Sequence, residues 1–216
     1  MLNIQRFVVN MIQENCYILW DDTKECAIID CGAFYPEEKE AIKIFIKEKE
    51  LHPSLLLNTH LHFDHIFGNP FLYETYGLET QASEKDLPLY QSFPEQLKDF
   101  IGLTEYATSM PPIKKFIDDK DTVSFGTHML QVIATPGNTP GGLDFYCAEE
   151  NVLFSGDSLF RHSIGRMDFP GGDYSNLVTS LKEKILTLPD DVKILTGHGL
   201  STTIRSEKKE NPYFIV

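Results

Sequence analysis

Three short runs rich in β-branched and aromatic residues open the chain, "RFVVN", "CYILW" and "CAIID", the last two separated by the polar turn "DDTKE". Their composition and spacing predict strands. "PEEKEAIKIFIKEKE" follows a different rhythm. It opens with Pro36 and acidic residues and sets Ala41, Ile42, Phe45 and Ile46 on one face, which predicts a helix. "SLLLNTH" reads as a buried strand that stops at a histidine cluster, and "NPFLYETYG" as a second helix closed by Gly77. From "SEKDLPLY" to "PPIKKFIDDKD" the periodicity fades among scattered Pro and Phe, so residues 86–121 are expected to form an irregular insertion lying over something. "HMLQVIATPG", "GLDFYCAEENVLFSGD" and "VKILTGHG" read as strands. "YSNLVTSLKEKIL" reads as one helix with Leu177, Leu181 and Ile185 inward. Strands and helices interleave in both halves with no low-complexity linker, so one domain is expected over 1–216.

Composition narrows the partners. A chain of 216 residues, 42% of them hydrophobic, can bury one sizeable core. Asp and Glu number 32 against 19 Lys and Arg, a formal charge of −13. That balance argues against nucleic acid or an anionic membrane, which both need basic patches. A small-molecule substrate is the expected partner, and the charge says nothing of oligomeric state. "MLNIQRFVVN" lacks the basic start, long apolar run and small-residue cleavage site of a signal peptide. No apolar run has the length of a membrane span, and a cytoplasmic location is expected. Cys16, Cys26, Cys31 and Cys147 form no C-x-x-C pair. They read as small core residues in a reducing compartment, with a redox or metal role as the alternative.

The candidate chemistry lies in "NTHLHFDHIFGN", residues 58–69. In extended backbone, side chains alternate, so His60 and His62 point the same way and can grip one metal ion. Asp64 and His65 follow where the chain bends and are aimed at a second, adjacent ion. Imidazoles with a carboxylate suit zinc, one or two ions per chain, with iron or manganese as other occupants. Further ligands stand at the ends of later strands. Asp157 follows "VLFS", and its two oxygens could bridge both ions. His198 follows "VKIL" between glycines. Asn138 occupies the middle of "ATPGNTPGG".

The order T-H-x-H-x-D-H, T-P-G-x-T-P-G, S-G-D and G-H-G resembles the metallo-β-lactamase superfamily. The stretches "SGDSLFRHSIGRMDFPGGD" and "TTIRSEKKENP" are similar to its small glyoxalase II-like hydrolases. The resemblance covers nearly the whole chain. It implies an α+β fold, a four-layer αβ/βα sandwich with a dinuclear metal site at the sheet edge. It also implies His60 and His62 in site one, Asp64, His65 and His198 in site two, and Asp157 as the bridge.

One position departs from the family. The loop is usually T-P-G-H-T-P-G, whose histidine completes site one; here it carries Asn138. An uncharged amide is a poor zinc ligand. Two readings stay open: weak or water-mediated coordination by Asn138, or mere support of the turn. His162 could have taken the missing histidine's place.

The expected chemistry is hydrolysis of an ester or thioester by a metal-bound hydroxide, with Asp64 both a ligand and the orienter of the attacking water. No G-x-S-x-G elbow offers a serine nucleophile. By resemblance, Arg166 could meet a substrate carboxylate, as in glutathione thioesters; a structural pairing with Asp168 is the other reading. The larger glyoxalase II enzymes carry a helical C-terminal domain that helps bind glutathione, and no counterpart to it is expected here. Two alternatives accompany the hydrolase: an oxidoreductase like the mononuclear-iron persulfide dioxygenases, and a non-catalytic relic whose metal site failed with Asn138.

Overall fold

The computed structural model describes residues 1–105 and 109–215. A first sheet runs in chain order through β1 (Asn3–Val9), β2 (Glu14–Trp20), β3 (Glu25–Ile29), β4 (His52–Leu57), β5 (Thr80–Ala82) and β6 (Lys115–Phe116). The first three strands are antiparallel; β3 to β6 are parallel. The second sheet uses β7 (Thr122–Phe125), β8 (His128–Ala134), β9 (Leu143–Cys147), β10 (Val152–Gly156), β13 (Lys193–Thr196) and β14 (Thr202–Thr203). Its spatial order is β14-β13-β10-β9-β8-β7, with only β10 and β13 parallel. A small ribbon of β11 (Leu159–Phe160) and β12 (Ser163–Ile164) follows β10.

The layers follow from the two-residue period of strands. In β2, Tyr17 and Leu19 face the second sheet and pack with Phe145, Phe154 and Leu195, whereas Cys16 and Ile18 face outward. That outer face is covered by α1 (Pro36–Glu48) through Ile42 and Ile46, and by Leu72 of α3 (Asn69–Tyr76), which follows the one-turn α2 (Phe63–Ile66). In the second sheet Phe154 and Leu195 point inward, while Leu153 and Ile194 point out against Leu177 of α6 (Tyr174–Ser180), Leu181, Ile185 and Ile204 of α7 (Ile204–Glu210). The result is helix, sheet, sheet, helix, the four-layer arrangement expected. All four cysteines are free and buried. No helix among the described residues is long and apolar enough to cross a membrane.

The structure departs from the sequence reading in three places. Ala41 is exposed, so the inner stripe of α1 is Ile42, Ile46 and partly Phe45. The helix from Tyr174 widens at Leu181 to a π turn ending at Ile185, with the Leu186 N–H donating to the Leu181 carbonyl; its three inward residues stay buried. The stretch 86–121, expected to be irregular, carries two short helices, α4 (Leu87–Gln91) and α5 (Phe93–Ile101), and part of it, residues 106–108, lies outside the described residues. Pro88 and Pro94, which read as breakers, occupy the first turns of these helices, where a proline loses no hydrogen bond.

Candidate metal centre

The ligand-type side chains gather where the parallel strands end. β4 runs out at Leu57 into His60, His62, Asp64 and His65; β10 into Asp157; β13 into His198; and the antiparallel β8 into the loop of Asn138. The carboxyl edge of parallel strands is the usual place for a site, because the chain leaves each strand there with backbone and side chains free to converge. Glycine makes the convergence tight. A Cβ on Gly197 would stand 2.3 Å from Asp157 Oδ1 and 2.8 Å from His65 Cε1. Gly156 has φ +47° and would drive a Cβ into Thr59.

Three imidazoles are oriented from behind. The Thr59 hydroxyl donates to Asp30 Oδ2 at 2.6 Å, so toward His60 Nδ1, 3.1 Å away, it acts as acceptor. His65 Nδ1 donates to Asp30 Oδ2 at 3.0 Å, and His198 Nδ1 to the Ile12 carbonyl at 3.2 Å. Each contact places the ring proton on Nδ1 and leaves the Nε2 lone pair pointing inward, the tautomer a metal needs. Asp30 also accepts from the Thr59 N–H and the Asn58 amide, and so fixes the whole turn.

The inward atoms crowd together. His65 Nε2 lies 3.4 Å from Asp157 Oδ1 and 3.5 Å from Asp64 Oδ2; His198 Nε2 lies 3.1 Å from Asp64 Oδ2 and 3.7 Å from Asp157 Oδ2. Donor atoms of His60, His65 and Asp157 fall within 4.8 Å of one another, as do those of Asp64, His65 and His198. His65 and Asp157 are thus central. His62 stands beside His60 with ring centroids 4.7 Å apart and packs edge-on against Phe169.

Buried polar atoms are nearly always paired, yet His60 Nε2, His65 Nε2, Asp157 Oδ1 and Asn138 Oδ1 are buried without a hydrogen-bond partner among the described residues. Nitrogen and oxygen donor atoms facing one another at 3–4 Å are placed to share a cation. The electrostatics agree. Burial pushes His60 and His62 below the usual imidazole range, with the neighbouring histidines adding to it for His60. Burial acts the same way on His65 and His198, but the adjacent carboxylates overcome it and hold both above that range. Burial acts upward on Asp157 and Asp64, and the imidazoles outweigh it and bring both down. The donor set therefore fits one or two divalent ions.

Above these atoms opens a cleft of about 760 Å³. His62, Asp64, Asp157 and His198 line its floor, and Phe63, Phe100, Phe160 and Phe169 its walls. Phe63 and Phe100 stack at 5.6 Å. Arg166 sits at the mouth, forked onto Asp168 (3.0 and 2.7 Å) and lying 4.3 Å over the Phe169 ring. Asn138 lines the floor, its Nδ2 donating to the Arg166 carbonyl at 2.9 Å. His162 lies elsewhere: it pairs with Glu210 at 3.0 Å and does not line the cleft, so it does not replace the histidine absent at 138.

Four supporting residues escaped the sequence reading. Asp30 and Glu14 lie behind His65; Glu14, fully buried, accepts from the Gly32 N–H, and burial holds its carboxyl well above the usual range. Asp30 had one readable signal, an acid closing the apolar strand "CAIID" next to the strand that ends in the histidines. Asp86 accepts from the Leu61 N–H, the Thr139 hydroxyl and the Gly141 N–H, tying the histidine turn to the Asn138 loop. Gln96 of α5 pairs with the Phe63 N–H and the Leu61 carbonyl. The insertion thus does two things: its Phe100 and Ile101 wall the cleft, and its polar residues brace the centre.

Two facing mixed sheets with a histidine- and aspartate-rich centre at their edge define the metallo-β-lactamase fold. The chain belongs to the metallo-beta-lactamase superfamily, whose pattern matches residues 9–198. It is 39% identical over 213 residues to the hydroxyacylglutathione hydrolase GloC of Haemophilus influenzae, covering 98% of each chain. Among solved structures it resembles the BLEG-1 B3 metallo-beta-lactamase, with TM-score 0.88, 33% identity and coverage of 99% and 100% of the two chains. It also resembles TTHA1623, crystallised in a di-iron-bound form, with TM-score 0.84, 33% identity and coverage of 97% and 99%.

Proposed function

We propose that the chain is a metal-dependent hydrolase of a thioester or related acyl bond in a small molecule. One observation carries this reading: inward-facing Nε2 atoms of His60, His65 and His198, each fixed from behind, meet Asp64 and Asp157 on the floor of a substrate-sized cleft. Similarity to a hydroxyacylglutathione hydrolase supports the thioester class. His60 and His62 would serve one ion, Asp64, His65 and His198 a second, and Asp157 both, with zinc the first candidate and iron or manganese the others. Such ions supply a water nucleophile acidified toward neutral pH and a Lewis acid for the acyl oxygen.

The chain's own groups do the rest. Asp64, on the floor with Oδ2 turned to His198, would accept a hydrogen bond from the attacking water and so orient its lone pair toward the carbonyl carbon. The phenylalanine walls hold the acyl or thiol part and exclude bulk water. Arg166 is the candidate contact for a substrate carboxylate, which would have to displace Asp168 from its guanidinium fork.

The test is elemental analysis of protein purified without added metal, together with a turnover assay on glutathione and other thioesters. One or two equivalents of metal with thioester cleavage that chelator abolishes is the expected result. Iron with oxygen uptake and no hydrolysis would move the reading to an oxidoreductase. Absence of both metal and turnover would leave a non-catalytic chain.

A further inference from the structure

Asn138 is 5% exposed, and its two amide ends face different surroundings. Nδ2 is satisfied by the Arg166 carbonyl at 2.9 Å. Oδ1 is buried, has no hydrogen-bond partner among the described residues, and belongs to a side chain that lines one small void with His60 and Asp157 and the main cleft with His62 and Asp157. Turning the amide over would set its oxygen against the Arg166 carbonyl, two acceptors with no proton between them. Gly165 packs close beside this side chain: a Cβ on Gly165 would come within 3.2 Å of Asn138 Cβ. The amide thus borders the same small void as His60 and Asp157, whose Nε2 and Oδ1 likewise have no hydrogen-bond partner among the described residues.

We infer that Asn138 is a direct ligand through Oδ1, and that the first metal position is a two-imidazole, two-oxygen site selective for harder divalent ions, manganese(II) or iron(II), relative to a site completed by a third imidazole. The inference rests on the metal centre proposed above. Its chemistry is that of donor hardness. Imidazole suits zinc, whereas carboxylate and carbonyl oxygens suit manganese, and two histidines with one carboxylate are the donor set of many non-haem iron(II) sites. Replacing imidazole nitrogen by amide oxygen removes little of a hard ion's affinity and much of zinc's. The same atom explains a buried carbonyl that would otherwise cost stability for nothing.

The test is a titration of metal-stripped full-length protein with manganese(II), iron(II) under anaerobic conditions, or zinc. Wild type, Asn138→Ala and Asn138→His are compared by calorimetry and by the electron paramagnetic resonance of bound manganese. Anomalous scattering from crystals assigns each ion to its position. In Asn138→Ala, manganese affinity at the position beside His60 and His62 is expected to fall about tenfold or more. In Asn138→His, the preference for zinc over manganese there is expected to rise by a similar factor. Unchanged manganese affinity in Asn138→Ala, or an unchanged preference in Asn138→His, overturns the inference while the metal centre stands. Wild-type protein that binds no ion beside His60 and His62 overturns the two-ion centre along with it.

Discussion

His65 and His128 are both buried imidazoles set between carboxylates, and they do opposite things. His128 is closed. Its Nδ1 meets Asp21 at 3.0 Å and its Nε2 meets Glu150 at 3.1 Å, while the hydroxyls of Thr23 and Thr127 also donate to Asp21. Glu150 in turn accepts the Leu2 N–H, so the cluster ties the start of β1, the end of β2 and the β8 hairpin together. Burial works against the charge on Asp21, and the Thr23 and Thr127 hydrogen bonds overcome it and hold the carboxyl far below its usual range. His65 is open. One nitrogen is anchored on Asp30, and the other faces Asp64 and Asp157 without a hydrogen bond. A ring with both nitrogens taken fastens the fold; a ring with one fixed and one free awaits a ligand.

The sharpest way to break this contrast is at the shared carboxylate. Asp157→Ala removes the group that faces both His65 and His198. Metal content should fall to near zero and hydrolysis by roughly 1,000-fold or more, beyond the 10- to 100-fold that loss of an outer partner brings. Elemental analysis of the purified variant decides this, and full metal content would refute the shared role.

The mirror-image experiment is His128→Ala. It takes one donor from each of Asp21 and Glu150 and empties a buried ring site, and losing such buried hydrogen bonds costs roughly 1–3 kcal/mol. Chemical denaturation should show that loss, with metal stoichiometry unchanged. Loss of metal together with stability would mean that the two clusters are not separate devices.

Which of these clusters could be read from sequence follows from where their parts lie. "HLHFDH" is a local pattern at the end of an apolar run, and Asp157 and His198 each close a recognisable strand, so these positions announced themselves. The four layers came from the family resemblance, and in the folded chain alternation in β2 and β10 realises them by splitting neighbouring residues between two hydrophobic clusters. Asp21, His128 and Glu150 come from three segments with no shared motif, and the same holds for Glu14, Asp86 and Gln96 behind the metal centre. Their meaning exists only after the chain has folded. The insertion misled for a different reason: proline both breaks helices and begins them, and only the neighbouring backbone tells which.

A smaller effect tests the anchoring half of the argument. Asp30→Ala leaves all the inward donors in place and removes the acceptor behind His65 and Thr59. Metal affinity should drop about 10- to 100-fold. The pH dependence of metal binding should shift with it, because His65 loses the carboxylate that fixes its tautomer. Titration with a competing chelator measures both. Unchanged affinity would show that packing alone orients the ring.

Asp144 sharpens the contrast from the carboxylate side. It is fully buried beside the centre, and among the described residues its side chain accepts from the Thr135 and Ser158 hydroxyls and from no imidazole. Burial pushes its carboxyl up to about 7 despite those hydrogen bonds. An acid whose folded value is raised binds its proton more tightly in the native state. Its stabilising contribution is therefore complete below the unfolded value near 4 and is lost as pH rises through about 7. Between those limits the native state holds the extra proton, so this one group tilts unfolding free energy downward by about 1.4 kcal/mol per pH unit. Asp144→Asn keeps an acceptor for both hydroxyls and cannot ionise. Denaturation curves from pH 4 to 8 should show the difference between variant and wild type growing in the variant's favour toward high pH. A constant difference across that range would mean that Asp144 is already charged in the folded protein, held by its two hydroxyl donors alone.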